Sequence, residues 1–194
     1  MSEWVFFLEE PSARAMLEGL LPRIAPQHMA VRYIVFEGKQ DMEKQLVRRM
    51  RGYRQADARF FIIRDQDSGD CLIIKTRLKQ FCRDADRPTA VIRIACHELE
   101  SFYLADLAAV EQGLGISGIA SRQTSQKFRT PDRLGSPSRE LTALTKGRYQ
   151  KIGGSRAIAP HLDLENTRSH SFKVLVDALR RMAVEEGSTH RGKR

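Results

Sequence analysis

Residues 60–67 read Phe-Phe-Ile-Ile-Arg-Asp-Gln-Asp, a short apolar run that ends in two aspartates separated by one residue. An apolar run of this length, rich in β-branched and aromatic residues, predicts a buried strand. Asp65 and Asp67 should therefore emerge together where that strand opens into a loop. Carboxylate oxygens are hard ligands of the kind that Mg²⁺ prefers. The stretch thus predicts both a strand of the sheet and a candidate metal site.

Other apolar runs of the chain also end in acidic residues. These are residues 5–8 before Glu9 and Glu10, residues 31–36 before Glu37, and residues 90–96 before Glu98 and Glu100. In an open parallel sheet the carboxyl ends of the strands share one edge, and ligands bind outside that edge. Carboxylates gathered there repel one another unless a cation neutralises them. The pattern therefore favours a metal site built from several strand ends.

Segments with helical spacing of apolar residues separate these predicted strands. The predicted helices cover residues 12–24, with Ser12 as the cap, and residues 40–54, 70–81 and 98–112. Parallel strands need crossover connections, and helices supply them. The alternation predicts an α/β fold of Rossmann-like type, with a mainly parallel sheet of about four strands flanked by helices.

The second half of the chain has a different pattern. Glycine and proline interrupt residues 113–168, which predicts a basic, loop-rich extension. Residues 170–186 carry one apolar stripe at helical spacing and predict a closing helix. We expect a single domain over residues 1–187 and a flexible basic tail over residues 188–194.

Composition narrows the class of protein. The chain has 194 residues and 41% hydrophobic content, which fits one globular domain. No apolar stretch approaches the roughly 20 residues that span a bilayer, and the first residues are acidic where a secretory signal is basic. We therefore expect a cytoplasmic protein with no membrane partner. Cys71, Cys82 and Cys96 form no CxxC pair, which argues against a disulfide framework and a thiolate zinc site.

The charge is strongly basic and clustered. The formal net charge is +9, and residues 122–156 hold nine Lys or Arg residues against Asp132 and Glu140. A second cluster lies on the predicted helix 40–54. Such faces are either simply solvated or bind a polyanion, and their position beside acidic strand ends favours nucleic acid.

Two basic segments are candidates for contact with phosphate. Lys39 follows Glu37 and Gly38 between a predicted strand and a predicted helix, where backbone donors and a lysine suit an anion. Lys151 and Arg156 flank two glycines that allow close approach of a backbone, and they suit phosphate contact or charge stabilisation in a transition state. An ordinary turn and an ordinary basic loop are the alternative readings.

At this point the chain resembles a known family. The acid after the first strand, in residues 6–10 (FFLEE), and the later Asp65-Gln66-Asp67 look like the TOPRIM fold of topoisomerases, primases and OLD-family nucleases. Three further segments resemble a family of small standalone TOPRIM-like proteins: residues 37–41 (EGKQD), 97–106 (HELESFYLAD) and 149–156 (YQKIGGSR). The resemblance spans residues 4–186, and relatives include the nuclease subunit of the anti-phage system PARIS.

The resemblance implies a catalytic set and a cofactor. Glu9 matches the TOPRIM glutamate, and Asp65 and Asp67 match its Asp-x-Asp, as ligands of Mg²⁺ or Mn²⁺. Glu98 and Glu100 would support a second metal or its surroundings. From its own position beside the two glycines, Lys151 is added to the first three as a catalytic residue. TOPRIM motifs commonly place glycine after the glutamate, whereas Glu10 follows here, so either Glu9 or Glu10 is the metal ligand.

The implied function is a metal-dependent nuclease that hydrolyses phosphodiester bonds of DNA or RNA. Its relatives suggest an effector of anti-phage defence, controlled by a partner ATPase of the AAA or ABC type encoded nearby. The alternative is a non-catalytic TOPRIM-like module that binds nucleic acid or an ATPase. The choice between DNA and RNA, and the formation of a homo-oligomer, stay open at this point.

Overall fold

A computed structural model describes residues 2–191 of the chain. Within that range one sheet is formed by β1 (Glu3–Leu8), β2 (Ala30–Val35), β3 (Ala58–Asp65) and β4 (Val91–Ala95). The spatial order is β2-β1-β3-β4, and every neighbouring pair is parallel. The predicted parallel sheet of about four strands is confirmed.

Helices follow each strand. The first group comprises α1 (Pro11–Leu20), α2 (Lys39–Arg51), α3 (Cys71–Asp84), α4 (Glu100–Leu104) and α5 (Leu107–Leu114). The second group comprises α6 (Gln126–Arg129), α7 (Pro137–Leu144), α8 (Lys151–Ile158) and α9 (His170–Arg191). Short 3-10 segments cover Leu21–Arg23, Ala120–Thr124, Pro131–Arg133 and Ala159–His161.

The central strand β1 separates two hydrophobic cores. Successive side chains of a strand point to opposite faces, so Trp4, Phe6 and Leu8 pack with α1, α4, α5 and α9 on one face. Val5 and Phe7 pack with α2 and α3 on the other face. Both faces of the sheet are therefore covered, which explains the nearly continuous apolar runs of β1 and β3.

Residues 113–168 differ from the loop-rich extension that the glycines and prolines suggested. They form α6, α7, α8 and 3-10 segments. Some of the glycines and prolines lie at helix ends: Gly115 ends α5 in the left-handed region at φ +59°, and Pro137 occupies the first turn of α7. Gly153 and Gly154 lie inside α8 without interrupting it.

Three helix boundaries also differ from the sequence expectation. Glu10 occupies the N-cap position of α1, where Ser12 was expected, and Pro11 opens the helix. The predicted helix 98–112 is two helices, because Asp106 caps α5 by accepting a hydrogen bond from the Ala109 N–H (3.1 Å). α9 continues to Arg191, so residues 188–191 of the predicted tail are helical, and residues 192–194 lie outside the described residues.

Within residues 2–191, none of the helices combines the length and the apolar character that crossing a membrane requires.

Candidate functional site

The acidic residues after β1 and at the end of β3 meet at the carboxyl edge of the sheet. Leu8 is in register with Ile63, so the two strands end at the same level. A carboxylate oxygen of Glu9 accepts a hydrogen bond from the Asp65 backbone N–H at 3.3 Å. Acids from two neighbouring strands are thus brought together, as the parallel arrangement predicted.

Asp65 lies in an environment that disfavours its charge. Burial raises the pKa of its carboxyl well above the usual range, and the negative charges of Glu10, Glu100 and Glu9 raise it further. The pKa of Glu9 is also raised, first by burial and then by the charge of Asp67. The negative charges of these carboxylates therefore repel one another, and a bound cation would reduce that repulsion.

Glu100 brings a third strand end to this cluster, after β4. Its side chain is fully buried, and Oε1 accepts a hydrogen bond from the Tyr149 hydroxyl at 2.8 Å. Oε2 is buried without a hydrogen-bond partner. Burial raises the pKa of this carboxyl, although the bond from Tyr149 opposes the shift. A buried carboxylate oxygen with no partner is costly and needs an explanation.

Two lysines neutralise part of this acidic cluster. Lys151 donates from Nζ to both carboxylate oxygens of Glu10, at 3.0 and 3.1 Å. Lys39 donates to Asp67 at 2.7 Å. Burial lowers the pKa of Lys151, but the hydrogen bond to Glu10 and the charges around it outweigh burial, so the pKa is raised. The pKa of Lys39 is raised by its bond to Asp67.

The turn before α2 places Lys39 at this edge. Gly38 has φ +100°, a conformation that favours glycine, and its N–H donates to the Glu9 carbonyl at 3.0 Å. The chain then enters α2 at Lys39. The segment Glu37-Gly38-Lys39, which suggested phosphate contact, is thus hydrogen-bonded to the backbone of Glu9.

Arg64 is a buried charge that the sequence reasoning missed. Its Nη1 donates to Glu43 at 2.6 Å, and its Nε lies 3.7 Å from a carboxylate oxygen of Glu9. A buried guanidinium must be paired, so Arg64 is paired with Glu43 and also places positive charge beside Glu9. The available signal was an arginine inside the apolar run of β3, directly before Asp65.

The donor set fits a hard divalent cation by its chemistry, because it consists of carboxylate oxygens. Among residues 2–191, however, no group of three His, Cys, Asp or Glu residues is arranged closely enough to hold a metal ion. Lys39 and Lys151 hold Asp67 and Glu10 in ion pairs, so a cation would compete with each lysine for its carboxylate.

Comparison with known proteins places the chain in a family. Residues 8–180 match the model described as "Domain of unknown function (DUF4276)". The chain belongs to the DUF4276 family. The matched range includes every acidic residue of the cluster. No curated protein matches this DUF4276 chain.

Two solved structures resemble this DUF4276 protein. The C-terminal region of the Burkholderia pseudomallei OLD protein has a TM-score of 0.51 at 14% identity, covering 93% of this chain and 98% of that one. The C-terminal region of the Xanthomonas campestris pv. campestris OLD protein, phased with mercury, has a TM-score of 0.49 at 13% identity, covering 95% and 97%. The first likeness shows that the α/β fold expected from the sequence is shared with the C-terminal region of an OLD protein.

The DUF4276 structure brings most of the sequence candidates to one edge of the sheet. They are Glu9, Glu10, Lys39, Asp65, Asp67, Glu100 and Lys151. Glu98 makes a different contact: Oε2 accepts a hydrogen bond from the Ser138 N–H at 2.6 Å and so caps α7. Arg156 is exposed on α8, five residues after Lys151 and therefore on another side of the helix. Tyr149 joins the group although the sequence singled it out for no role.

Proposed function

We propose that this protein is a divalent-metal-dependent nuclease that hydrolyses phosphodiester bonds of DNA or RNA. The observation that carries the proposal is the hydrogen bond between the Asp65 N–H and the carboxylate of Glu9, which joins the ends of β1 and β3. The likeness of the fold to the C-terminal region of an OLD protein supports it. The sequence resemblance to OLD-family nucleases points the same way.

Glu9, Asp65 and Asp67 would hold Mg²⁺ or Mn²⁺, with Glu10, Glu98 and Glu100 around them. The unpartnered Oε2 of Glu100 is an oxygen in need of a positive charge or a donor. Glu98 keeps one oxygen on the Ser138 N–H and so contributes at most the other. When bound, the cation supplies polarisation of a phosphoryl oxygen and a water of lowered pKa.

The two lysines change partners in this proposal. In the described structure Lys39 and Lys151 neutralise Asp67 and Glu10. When those acids turn toward a cation, both ammonium groups are released beside the site and can contact a substrate phosphate. Lys151 then stabilises negative charge that develops in the transition state. Arg156 adds positive charge to the approach from α8.

The lysine pairs also favour a second candidate function. Because Lys39 and Lys151 already neutralise two acids, part of the cluster is balanced without a metal. This arrangement suits a non-catalytic module that binds nucleic acid or an ATPase. We further propose that an AAA- or ABC-type ATPase encoded nearby controls the protein in anti-phage defence, as the sequence resemblance to the PARIS nuclease subunit implies.

The deciding experiment is a titration of Mg²⁺ and of Mn²⁺ into wild type and into the double variant Asp65→Ala with Asp67→Ala. Thermal stability and cleavage of mixed DNA and RNA are followed together. We expect the metal to stabilise wild type and support cleavage, and the variant to lose both responses. The matched control is Asp57→Ala with Asp177→Ala, which removes the same charge at exposed positions away from the cluster.

The outcomes separate the two candidates. Metal binding without cleavage by the isolated chain would indicate a nuclease that needs its ATPase, and cleavage should then appear when that ATPase is added. Equal metal responses in wild type and in the Asp65/Asp67 variant would contradict the proposed ligands. No metal response in any of the proteins would favour the binding module.

A further inference from the structure

Two adjoining cavities run along the free edge of β4, the last strand of the sheet. The smaller cavity, about 150 Å³, lies at the carboxyl end of the strand and is lined by residues that include Cys71, Cys96 and Ser171. The larger cavity, about 510 Å³, lies toward the start of the strand. Both are lined by Lys75, Ile92 and Arg93, so they adjoin as a groove along the edge of the sheet, beside α3 and, at the carboxyl end of the strand, beside the start of α9. We call it the β4 groove.

The β4 groove is lined by cations and by no acidic residue. Lys75, Lys79 and Arg83 occupy successive turns of α3, so they repeat at intervals of about 6 Å along the helix. Arg93 contributes a fourth cation from the strand itself. Within the described part of the chain, none of these four forms an ion pair with a carboxylate. Their charge is therefore available to a ligand.

Arg93 is the most constrained of these cations. Its Nε donates to the Val174 carbonyl of α9 at 3.1 Å, and its Nη1 donates to the Ile92 carbonyl at 2.6 Å. Burial lowers its pKa, and the positive charge of Arg181 lowers it further. The positive charges of Arg93 and Arg181 therefore repel each other, and an anion bound beside Arg93 would reduce that repulsion.

The groove leads toward the acidic cluster. Cys96 lines its upper end and directly precedes His97, whose carbonyl accepts the Asp67 N–H. Asp65 is in register with Ala95 at the end of β4. A chain lying in the groove would therefore pass from the start of β4 to the loop that carries Asp67.

We propose that the β4 groove binds the sugar-phosphate backbone of a single-stranded segment of DNA or RNA and leads it to the carboxylates. This inference rests on the proposed nuclease function, and it names the path of the substrate. Regularly spaced cations match a repeating phosphate charge, and the half-buried apolar side chains of Ile94 and Val174 offer surface to the sugars between them.

The test measures binding without cleavage. A fluorescently labelled 12-nucleotide single strand, as DNA and as RNA, is titrated with protein in excess EDTA, and its anisotropy is followed at several salt concentrations. The groove variant carries Lys75→Glu, Lys79→Glu and Arg83→Glu. The matched control carries Arg14→Glu, Arg23→Glu and Arg32→Glu, which make the same charge change at exposed positions near α1 and β2, away from the groove.

We expect the groove variant to lose at least tenfold in affinity for the single strand. The slope of log affinity against log salt concentration should decrease in magnitude by about 2. Each phosphate contact to a single strand contributes about 0.7 to this slope, and the variant removes three cations. The control should lose less than half as much on both measures. A variant with Lys75→Gln, Lys79→Gln and Arg83→Gln keeps the test valid if charge reversal disturbs folding, which circular dichroism would reveal.

Three results would contradict the proposal that the β4 groove binds a single strand. They are equal losses in the groove and control variants, unchanged binding by the groove variants, and no binding of a single strand by wild type. The failure of the nuclease proposal is a separate result, because it is judged by the metal response of the Asp65 and Asp67 variant, and binding here is measured without metal.

Discussion

Asp67 and His97 are joined by two hydrogen bonds between loops that are 30 residues apart in the chain. The Asp67 N–H donates to the His97 carbonyl at 2.7 Å, and Nδ1 of His97 lies 3.1 Å from the Asp67 carbonyl oxygen. Both residues are in the left-handed region, at φ +53° and +56°. The pair ties the loop after β3 to the loop after β4 and so positions the carboxylate of Asp67.

This pair predicts the effect of replacing His97. His97→Ala removes the Nδ1–H donor to a backbone carbonyl and leaves a β-carbon in a strained conformation, so it should lower the free energy of unfolding by about 1–3 kcal/mol. His97→Asn should cost less, because asparagine tolerates the left-handed region and can donate from its amide. Urea unfolding of the three proteins makes the comparison. Equal losses in both variants would show that the loop does not depend on this contact.

The raised pKa of Asp65 predicts that the stability of the protein depends on pH. Its folded pKa is raised, so the folded protein binds this proton more readily than the unfolded chain, and stability is lost as pH rises through the folded pKa. Asp65→Asn removes that loss. Without metal at pH 8 the variant should therefore melt roughly 2–4 °C above wild type, the shift that about 1 kcal/mol produces in a chain of this size.

The advantage of Asp65→Asn should vanish near pH 4, where the wild-type carboxyl is itself protonated. Glu9 and Glu100 have raised pKa values for the same main reason, burial, so they add to the pH dependence of wild type. The control is Asp57→Asn at an exposed position, which should show no such gain. An Asp65→Asn variant that is less stable than wild type throughout the pH range would contradict the repulsion described above.

Two adjacent glycines of α8 should respond in opposite directions to alanine. A β-carbon on Gly154 would lie 2.4 Å from Cδ2 of Tyr149, so Gly154→Ala must displace the ring that donates to Glu100. We expect a loss of about 1–3 kcal/mol. Gly153 has no atom near its β-carbon position, and Gly153→Ala should gain up to about 1 kcal/mol from helix propensity. Thermal melting of both variants checks this, and a stable Gly154→Ala protein would contradict the close packing.

Much of the fold could be predicted because its signals are local. The apolar run that includes Phe60 and Ile63 predicted β3, and helical spacing between the runs predicted crossovers and hence parallel strands. The position of the acids followed from the same logic, since carboxyl ends of parallel strands share an edge. Helix ends in residues 113–168 were harder to predict, because glycine and proline occur both in loops and at the ends of short helices.

The sequence by itself thus determined the α/β class, the parallel sheet and the edge at which Glu9 and Asp65 meet. Only the tertiary structure decided which cations and hydroxyls complete the site. Lys151 reaches Glu10 across 141 positions of the chain, and Tyr149 reaches Glu100 across 49. Periodicity and spacing report contacts within an element and between successive elements. Contacts such as these depend on how α8 and the residues before it pack against α1 and α5, and that packing has no local signature in the sequence.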